Sequence, residues 1–216
     1  MKIIVVEGAL DSIGKSTQFD LLRNFLEEKH SVISHHFPTY DEVQGTLVME
    51  YLQGAFGKPS KLSPYFINSL YAIDRKITWD NKLSKADDII LLDRYTTSSL
   101  IYQSALIKDE NEKKKFIDFV TDYEYEKLGI GKPDKVIFLT APFDFIIDLK
   151  NKRDLEKGQQ IEGDIHEKDL EFLKNVYESA MFCAKYLNWD IIECANENGF
   201  KSIEEIHKDI IDRLGD

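Results

Sequence analysis

Cysteine is scarce in this sequence: Cys183 and Cys194 are the only two among 216 residues, and neither has metal-ligand company nearby. A disulfide framework or a zinc site would need several cysteines or histidines at short spacing, so both are expected to be packing residues. Long apolar runs are also missing. No stretch approaches the ~20 apolar residues of a membrane span, so no membrane partner is expected. Strand-like residues beginning at Lys2 leave no room for a secretory leader, which places the chain in the cytoplasm as an expectation.

Positive charge is in deficit as well. Lys and Arg number 28 against 39 Asp and Glu, a formal net charge of -11. A nucleic-acid-binding surface would need a basic field to displace phosphate counterions, so nucleic acid is excluded as a partner. Arginine is confined to Arg23, Arg75, Arg94, Arg153 and Arg213, so a site that handles phosphate must gather its cations locally.

What is present is the material of a globular core, with 43% hydrophobic residues. The length suits a single domain over residues 1–216, without repeat or linker. Short continuous apolar runs at Ile3-Val6, Val32-His35, Ile89-Leu92, Val136-Leu139 and Ile191-Ile192 alternate with longer amphipathic stretches. Continuous runs mark strands covered on both faces, so the class is α/β, with a parallel sheet of about five strands flanked by helices on both faces. Ser63-Pro64, Ala141-Pro142 and the Ser202/Glu205 capping box mark helix starts, and the last helix should run to about Leu214. Gly54–Pro59 and Gly129–Pro133 read as loops, and Lys113-Lys114-Lys115 as a solvated helix face.

The first strand runs into Ala9, Leu10, Asp11, Ser12, Ile13, Gly14, Lys15, Ser16 and Thr17, which has the spacing A-x-x-x-x-G-K-S at the start of a helix. The order strand, turn, helix is what triphosphate binding needs: turn and helix N–H groups surround the anion, Lys15 reaches the β- and γ-phosphates, and Ser16 meets Mg²⁺. This is the P-loop arrangement. Alanine stands at the first motif position, with Gly8 one residue earlier, so the turn is either distorted or one residue longer than usual. A second strand ends in Asp93-Arg94-Tyr95, which puts an acid for Mg²⁺ and a phosphate-gripping cation at the carboxyl edge of the sheet.

Five segments taken together, Ala9-x4-Gly-Lys-Ser-Thr17, Phe37-Pro38-Thr39-Tyr40, Tyr71-Ala-Ile-Asp74-Arg75, Asp93-Arg-Tyr-Thr-Thr-Ser-Ser99-x-x-Tyr102 and Asp164-Ile-His-Glu167, resemble the thymidylate kinase family in order and spacing, over nearly the whole chain. The resemblance implies a P-loop kinase that transfers the γ-phosphoryl group of ATP, with Mg²⁺, to dTMP. It implies that Arg94 holds the acceptor phosphate, that Phe37, Pro38 and Tyr40 line its pocket, that Tyr71 stacks on the base, and that Arg75 reads a base carbonyl. Tyr102 would crowd the sugar C2′ position, Ser99 stands where the family usually has asparagine, and Asp11 lies near the acceptor phosphate. His166 would approach the acceptor, and Glu167 would join Ser16 and Asp93 around the metal. A homodimer through helices on one sheet flank is implied too.

The polar stretch 150–163 reads as a lid between two helical patterns. In some family members a catalytic arginine follows the P-loop aspartate; Ser12 stands there, which moves the implied catalytic cation to Arg153, beside Lys15, Arg94 and Asp11. His30, His35, His36 and His207 are given no role. Two other readings stay open on the residues alone: a deoxynucleoside kinase, and a relative that holds nucleotide without transferring phosphate.

Overall fold

The computed structural model describes residues 1–157 and 170–215, with the side chains of 154–157 left aside. Five parallel strands, β1 (Lys2–Gly8), β2 (Val32–His36), β3 (Ile89–Asp93), β4 (Lys135–Thr140) and β5 (Asp190–Glu193), form one sheet in the order β2-β3-β1-β4-β5. All five correspond to the apolar runs. Side chains alternate across the sheet as the strand period of two requires. Ile4, Val6, Ile89 and Leu91 face one layer, with Phe19, Leu22, Phe116, Val176, Cys183 and Ile210; Ile3, Val5, Ile90 and Leu92 face the other, with Trp79, Leu83 and Ile130. Both faces are therefore dry, which is why the strands read as unbroken apolar runs.

The helices are α1 (Lys15–Glu27), α2 (Thr46–Leu52), α3 (Pro64–Asn81), α4 (Thr96–Tyr102), α5 (Glu110–Thr121), α6 (Phe143–Lys157) and α7 (Leu170–Tyr186), which lie between strands of the sheet, and α8 (Ile203–Leu214), which follows the last. The capping box of α8 forms as its sequence indicates: Glu205 N donates to Ser202 Oγ at 3.2 Å and Ser202 N donates to Glu205 Oε2 at 2.7 Å. Helix α8 is tied to α1 through Gln18 Nε2, which donates to the Ile203 carbonyl at 2.8 Å, three residues past Lys15. Ser63 caps α3 by position only; its side chain makes no capping bond, and Pro64 at the first turn sets the start.

Three features depart from expectation. Lys150–Lys157 continues helix α6 rather than opening a loop, because the segment holds no glycine or proline and its lysines, arginine and glutamate are good helix formers. The remainder of the expected lid, 158–163, lies outside the described residues. A small antiparallel pair, β6 (Ala195–Asn196) with β7 (Gly199–Phe200), is too short to leave an apolar run. After α5 the chain widens into a π-helix, Asp122–Lys127, closed by Leu128 N donating to the Tyr123 carbonyl at 2.8 Å.

The lysine run on α5 is partly a packed face. Lys114 and Lys115 pair with Glu110 and Glu112 in solvent, while Lys113 and Lys114 lie over the Phe182 ring at 5.6 and 5.9 Å. Cys183 and Cys194 are buried, and burial pushes their thiols up to about 11 and about 12, so both are inert packing groups. Among the described residues no helix is long and apolar enough to cross a membrane.

Candidate active site

Helix α1 opens with its amino end free. Gly14 is its N-cap, no acid sits in the first turn, and among the described residues no side chain caps it, so the helix presents open N–H groups and a positive dipole end. The backbone before it is bent to the same purpose: Ser12 and Gly14 both take left-handed φ, 73° and 87°. For serine that conformation costs about 1–3 kcal/mol, the kind of local strain that a ligand site retains. The irregular motif resolves into a turn one residue longer. Ala9 continues β1, donating to the Leu139 carbonyl at 2.9 Å without a positive φ, and the tight approach falls on Gly8, where a Cβ would lie 2.9 Å from Ile13 Cγ2. Ala9, Leu10 and Ile13 are buried beneath the turn, so only their backbone can face a phosphate, whereas Gly14, Ser16 and Thr17 are exposed.

Sheet register brings the chemistry to one edge. Asp93 at the end of β3 is level with Val6 of β1 and His36 of β2. Its carboxylate binds Lys15 on one oxygen and His36 Nδ1 at 2.9 Å on the other. Burial pushes the Asp93 carboxyl up, but the His36 hydrogen bond and the Lys15 charge outweigh it and hold it down at about 2. Lys15 is lowered from the usual lysine range, first by burial and then by the Arg94 charge. Next to Asp93, Arg94 takes a φ of 62° and aims its guanidinium at Asp11, with Glu7 at 3.7 Å and the Tyr102 ring centroid at 5.5 Å. Glu7 is fully buried and accepts from Thr97 at 2.9 Å and Ser98 at 2.6 Å, which fixes α4 beneath Arg94.

A cleft of about 340 Å³ opens from this edge. Asp11, Lys15, Ser16 and Arg94 line the end beside the turn; Phe37, Pro38, Tyr40, Tyr71, Arg75, Ser99 and Tyr102 line the rest. Most of the residues singled out in the sequence therefore meet in one cavity. Arg75, only 1% exposed, is gripped by Glu124 in a fork, Nε to Oε2 at 2.6 Å and Nη2 to Oε1 at 2.7 Å, and Nη2 also donates to Ser99 Oγ at 2.9 Å. Burial works against its charge, but Glu124 outweighs burial and holds the guanidinium raised. Removing either partner would strand the other as a buried charge, at a cost of about 3–5 kcal/mol.

Sequence reasoning missed five participants. Glu7 and Glu124 carry the counter-charges just described. Gln103 lines the cleft at 3% exposure with Oε1 buried and unpartnered among the described residues. His35 and His36, given no role, support the edge: His36 holds Asp93, and His35 Nε2 meets Thr39 Oγ1 at 2.9 Å beneath the Phe37–Tyr40 segment. Thr39 N in turn donates to Asp74 Oδ2 at 2.8 Å. Arg153 lies on α6 and outside the lining of the cleft. His166 and Glu167 lie outside the described residues.

A family model described as thymidylate kinase matches residues 6–210. The chain belongs to the thymidylate kinase family. Among relatives, it is 33% identical over 179 residues to a probable thymidylate kinase 1 of Saccharolobus solfataricus, covering 80% of this chain and 84% of that one. It is 30% identical over 176 residues to a thymidylate kinase of Mycobacterium tuberculosis, covering 78% and 79%. In fold it matches the thymidylate kinase of Candida albicans at a TM-score of 0.70 and 22% identity, over 99% of this chain and 90% of that one. The five-stranded parallel sheet is the P-loop architecture of this thymidylate kinase family.

The support beneath the cleft makes stability depend on pH. Burial and the nearby Lys82 charge push His35 down from 6.5 to about 4, so the unfolded chain takes up a proton below pH 6.5 that the folded one refuses until about pH 4. Its contribution is complete above pH 6.5 and is lost progressively as pH falls from 6.5 to about 4. Guanidinium unfolding at about pH 7 and about pH 5 should show wild type losing on the order of 1–3 kcal/mol more than His35→Gln; equal losses would contradict this.

Proposed function

We propose that this chain passes the γ-phosphoryl group of ATP to dTMP, giving dTDP. One observation carries the reading: a single cleft holds the open amino end of α1 with Lys15, one arginine at its phosphate end and a second arginine, differently partnered, at its far end. The donor triphosphate would lie over Gly14–Thr17, with Lys15 leaving Asp93 for the β- and γ-oxygens. Arg94, whose partners Asp11 and Glu7 hold it at the rim, would grip the acceptor's 5′-phosphate, with Asp11 exchanging its hold as that phosphate arrives.

The far end would take the base. Tyr71 and Phe37 offer ring faces, Arg75 offers N–H donors, and Gln103 Oε1 offers an unused acceptor. A donor beside an acceptor matches C4=O and N3–H of thymine or uracil, and opposes cytosine, whose C4 amine and N3 lone pair are reversed. Ser99 accepts from Arg75, so its own proton remains to donate. Tyr102, packed under Arg94, would stand at the sugar.

Transfer between two phosphates needs no base to activate a hydroxyl; it needs alignment and positive charge along the reacting oxygens. Ser16 and the ionised Asp93 are hard oxygen donors of the kind that hold Mg²⁺ beside nucleotide phosphates, and among the described residues no closed cage of three or more His, Cys, Asp or Glu competes with that role. Bound with ATP at these residues, such an ion would supply positive charge to offset that of the phosphates. We assign Arg153, on α6, as the cation that meets the transferring group.

A homodimer fits the exposed side of α3, where Phe66, Ile73 and Ile77 recur at helical spacing and Phe56 packs edge-on against Phe66 at 6.0 Å. Sedimentation should give twice the chain mass for wild type and a smaller mass for Ile73→Asp; a monomeric wild type removes the dimer. The reaction itself is tested by a coupled assay with ATP, Mg²⁺ and each pyrimidine monophosphate. Turnover should be greatest with dTMP, and Arg153→Ala should lower kcat roughly a hundredfold with little change in KM. Turnover of thymidine in place of dTMP, or ATP binding without any turnover, would overturn the assignment.

A further inference from the structure

The two arginines of the cleft are held in different ways. Arg94 is partly open, and Asp11, its partner, is half-exposed, so an incoming phosphate can replace that contact. Arg75 and Glu124 have side chains exposed by 2% and 0%, and no anion can reach between them. The fork takes Nε and Nη2, and Ser99 and Asn68 also accept from Nη2, at 2.9 and 3.4 Å. Among the described residues Nη1 keeps only a long bond to the Tyr95 carbonyl at 3.4 Å. Because a guanidinium is planar, fixing Nε and Nη2 fixes where the Nη1 hydrogens point.

Glu124 is itself placed with care. It is the inward residue of the π-helix, between exposed Asp122 and Glu126, and its backbone carbonyl accepts from Ile130 N at 3.1 Å. Thr96 Oγ1, from the first turn of α4, donates to Glu124 Oε2 at 3.1 Å and gives the carboxylate a second hold besides Arg75 of α3. Two helices and a π-turn thus converge on one carboxylate. Wide turns of this kind are rare and concentrate at functional sites.

We infer that Glu124 is the positioning residue that makes Arg75 a reader of the neutral base, and through it sets acceptor specificity. The inference rests on the proposed dTMP reaction. Its chemistry is charge cancellation with direction. An uncompensated buried guanidinium at the far end of the cleft would draw a phosphate there and compete with Arg94 for the acceptor's anionic group. With Glu124 in place the pair carries no net charge, and what remains is a fixed N–H donor suited to a carbonyl oxygen.

Three proteins test it: wild type, Glu124→Gln and Thr96→Val, compared in steady-state kinetics with dTMP, dCMP and ATP. Glu124→Gln keeps the shape and removes the charge. It should raise KM for dTMP roughly tenfold or more, leave KM for ATP within about twofold, and narrow the preference for dTMP over dCMP. Thr96→Val should shift the same quantities the same way, by roughly two- to fivefold. A purely structural role would instead lower active enzyme and reduce kcat evenly for every substrate; that even loss, or an unchanged KM and preference in a folded Glu124→Gln protein, would overturn the inference. If Glu124→Gln fails to fold, an unchanged acceptor preference in Thr96→Val overturns it alone. A wild type that leaves dTMP untouched would defeat the proposed reaction itself, an outcome read before any variant is compared, and this inference would fall with it.

Discussion

Three cations are buried or half-buried along one cleft that opens from the carboxyl edge of the sheet, and each has a carboxylate distant in sequence as its counter-charge: Asp93 for Lys15, Asp11 and Glu7 for Arg94, Glu124 for Arg75. An ionised group in a low-dielectric interior is too costly to keep alone, so these pairs are conditions for the cleft to exist. They also explain how a chain with a net charge of -11 can recognise phosphate. The positive field is local, built from few residues whose counter-charges differ in how easily an anion displaces them.

The sheet supplies the precision. Register places Val6, Asp93 and His36 level across three strands, so the turn after β1, the arginine after β3 and the Phe37 segment after β2 leave from one line. Ligand-binding loops at the carboxyl ends of parallel strands follow from this topology. The layers beneath are apolar on both faces and give those loops a rigid base, and the α1–α8 bond through Gln18 secures the helix that opens at Gly14.

The strands were legible because two covered faces leave unbroken apolar runs, and the phosphate turn because Gly14-Lys15-Ser16 must follow a strand and open a helix. Ala9 was legible as an irregularity, but the remedy was not: only backbone geometry shows that Gly8 makes the close approach. Glu124 was hidden because Asp122-Tyr123-Glu124-Tyr125-Glu126 reads as a solvated acidic run, and a π-turn has no local signature that would turn one of its acids inward. Glu7 carried a faint signal, an acid directly after four apolar strand residues. His36 and Gln103 act through atoms brought near only by register and helix packing. Lys150–Lys157 misled in the other direction, since a polar segment without an apolar side reads as loop while its residues favour helix.

The central claim is that one cleft reads a phosphate with Arg94 and a keto-pyrimidine with Arg75 and Gln103. Isothermal titration of the wild-type protein with dTMP, dCMP and thymidine tests it without any turnover. The account predicts that dTMP binds at least roughly tenfold more tightly than dCMP, which reverses the base-edge pattern, and than thymidine, which lacks the phosphate. Equal affinity for dTMP and dCMP, or for dTMP and thymidine, would contradict it.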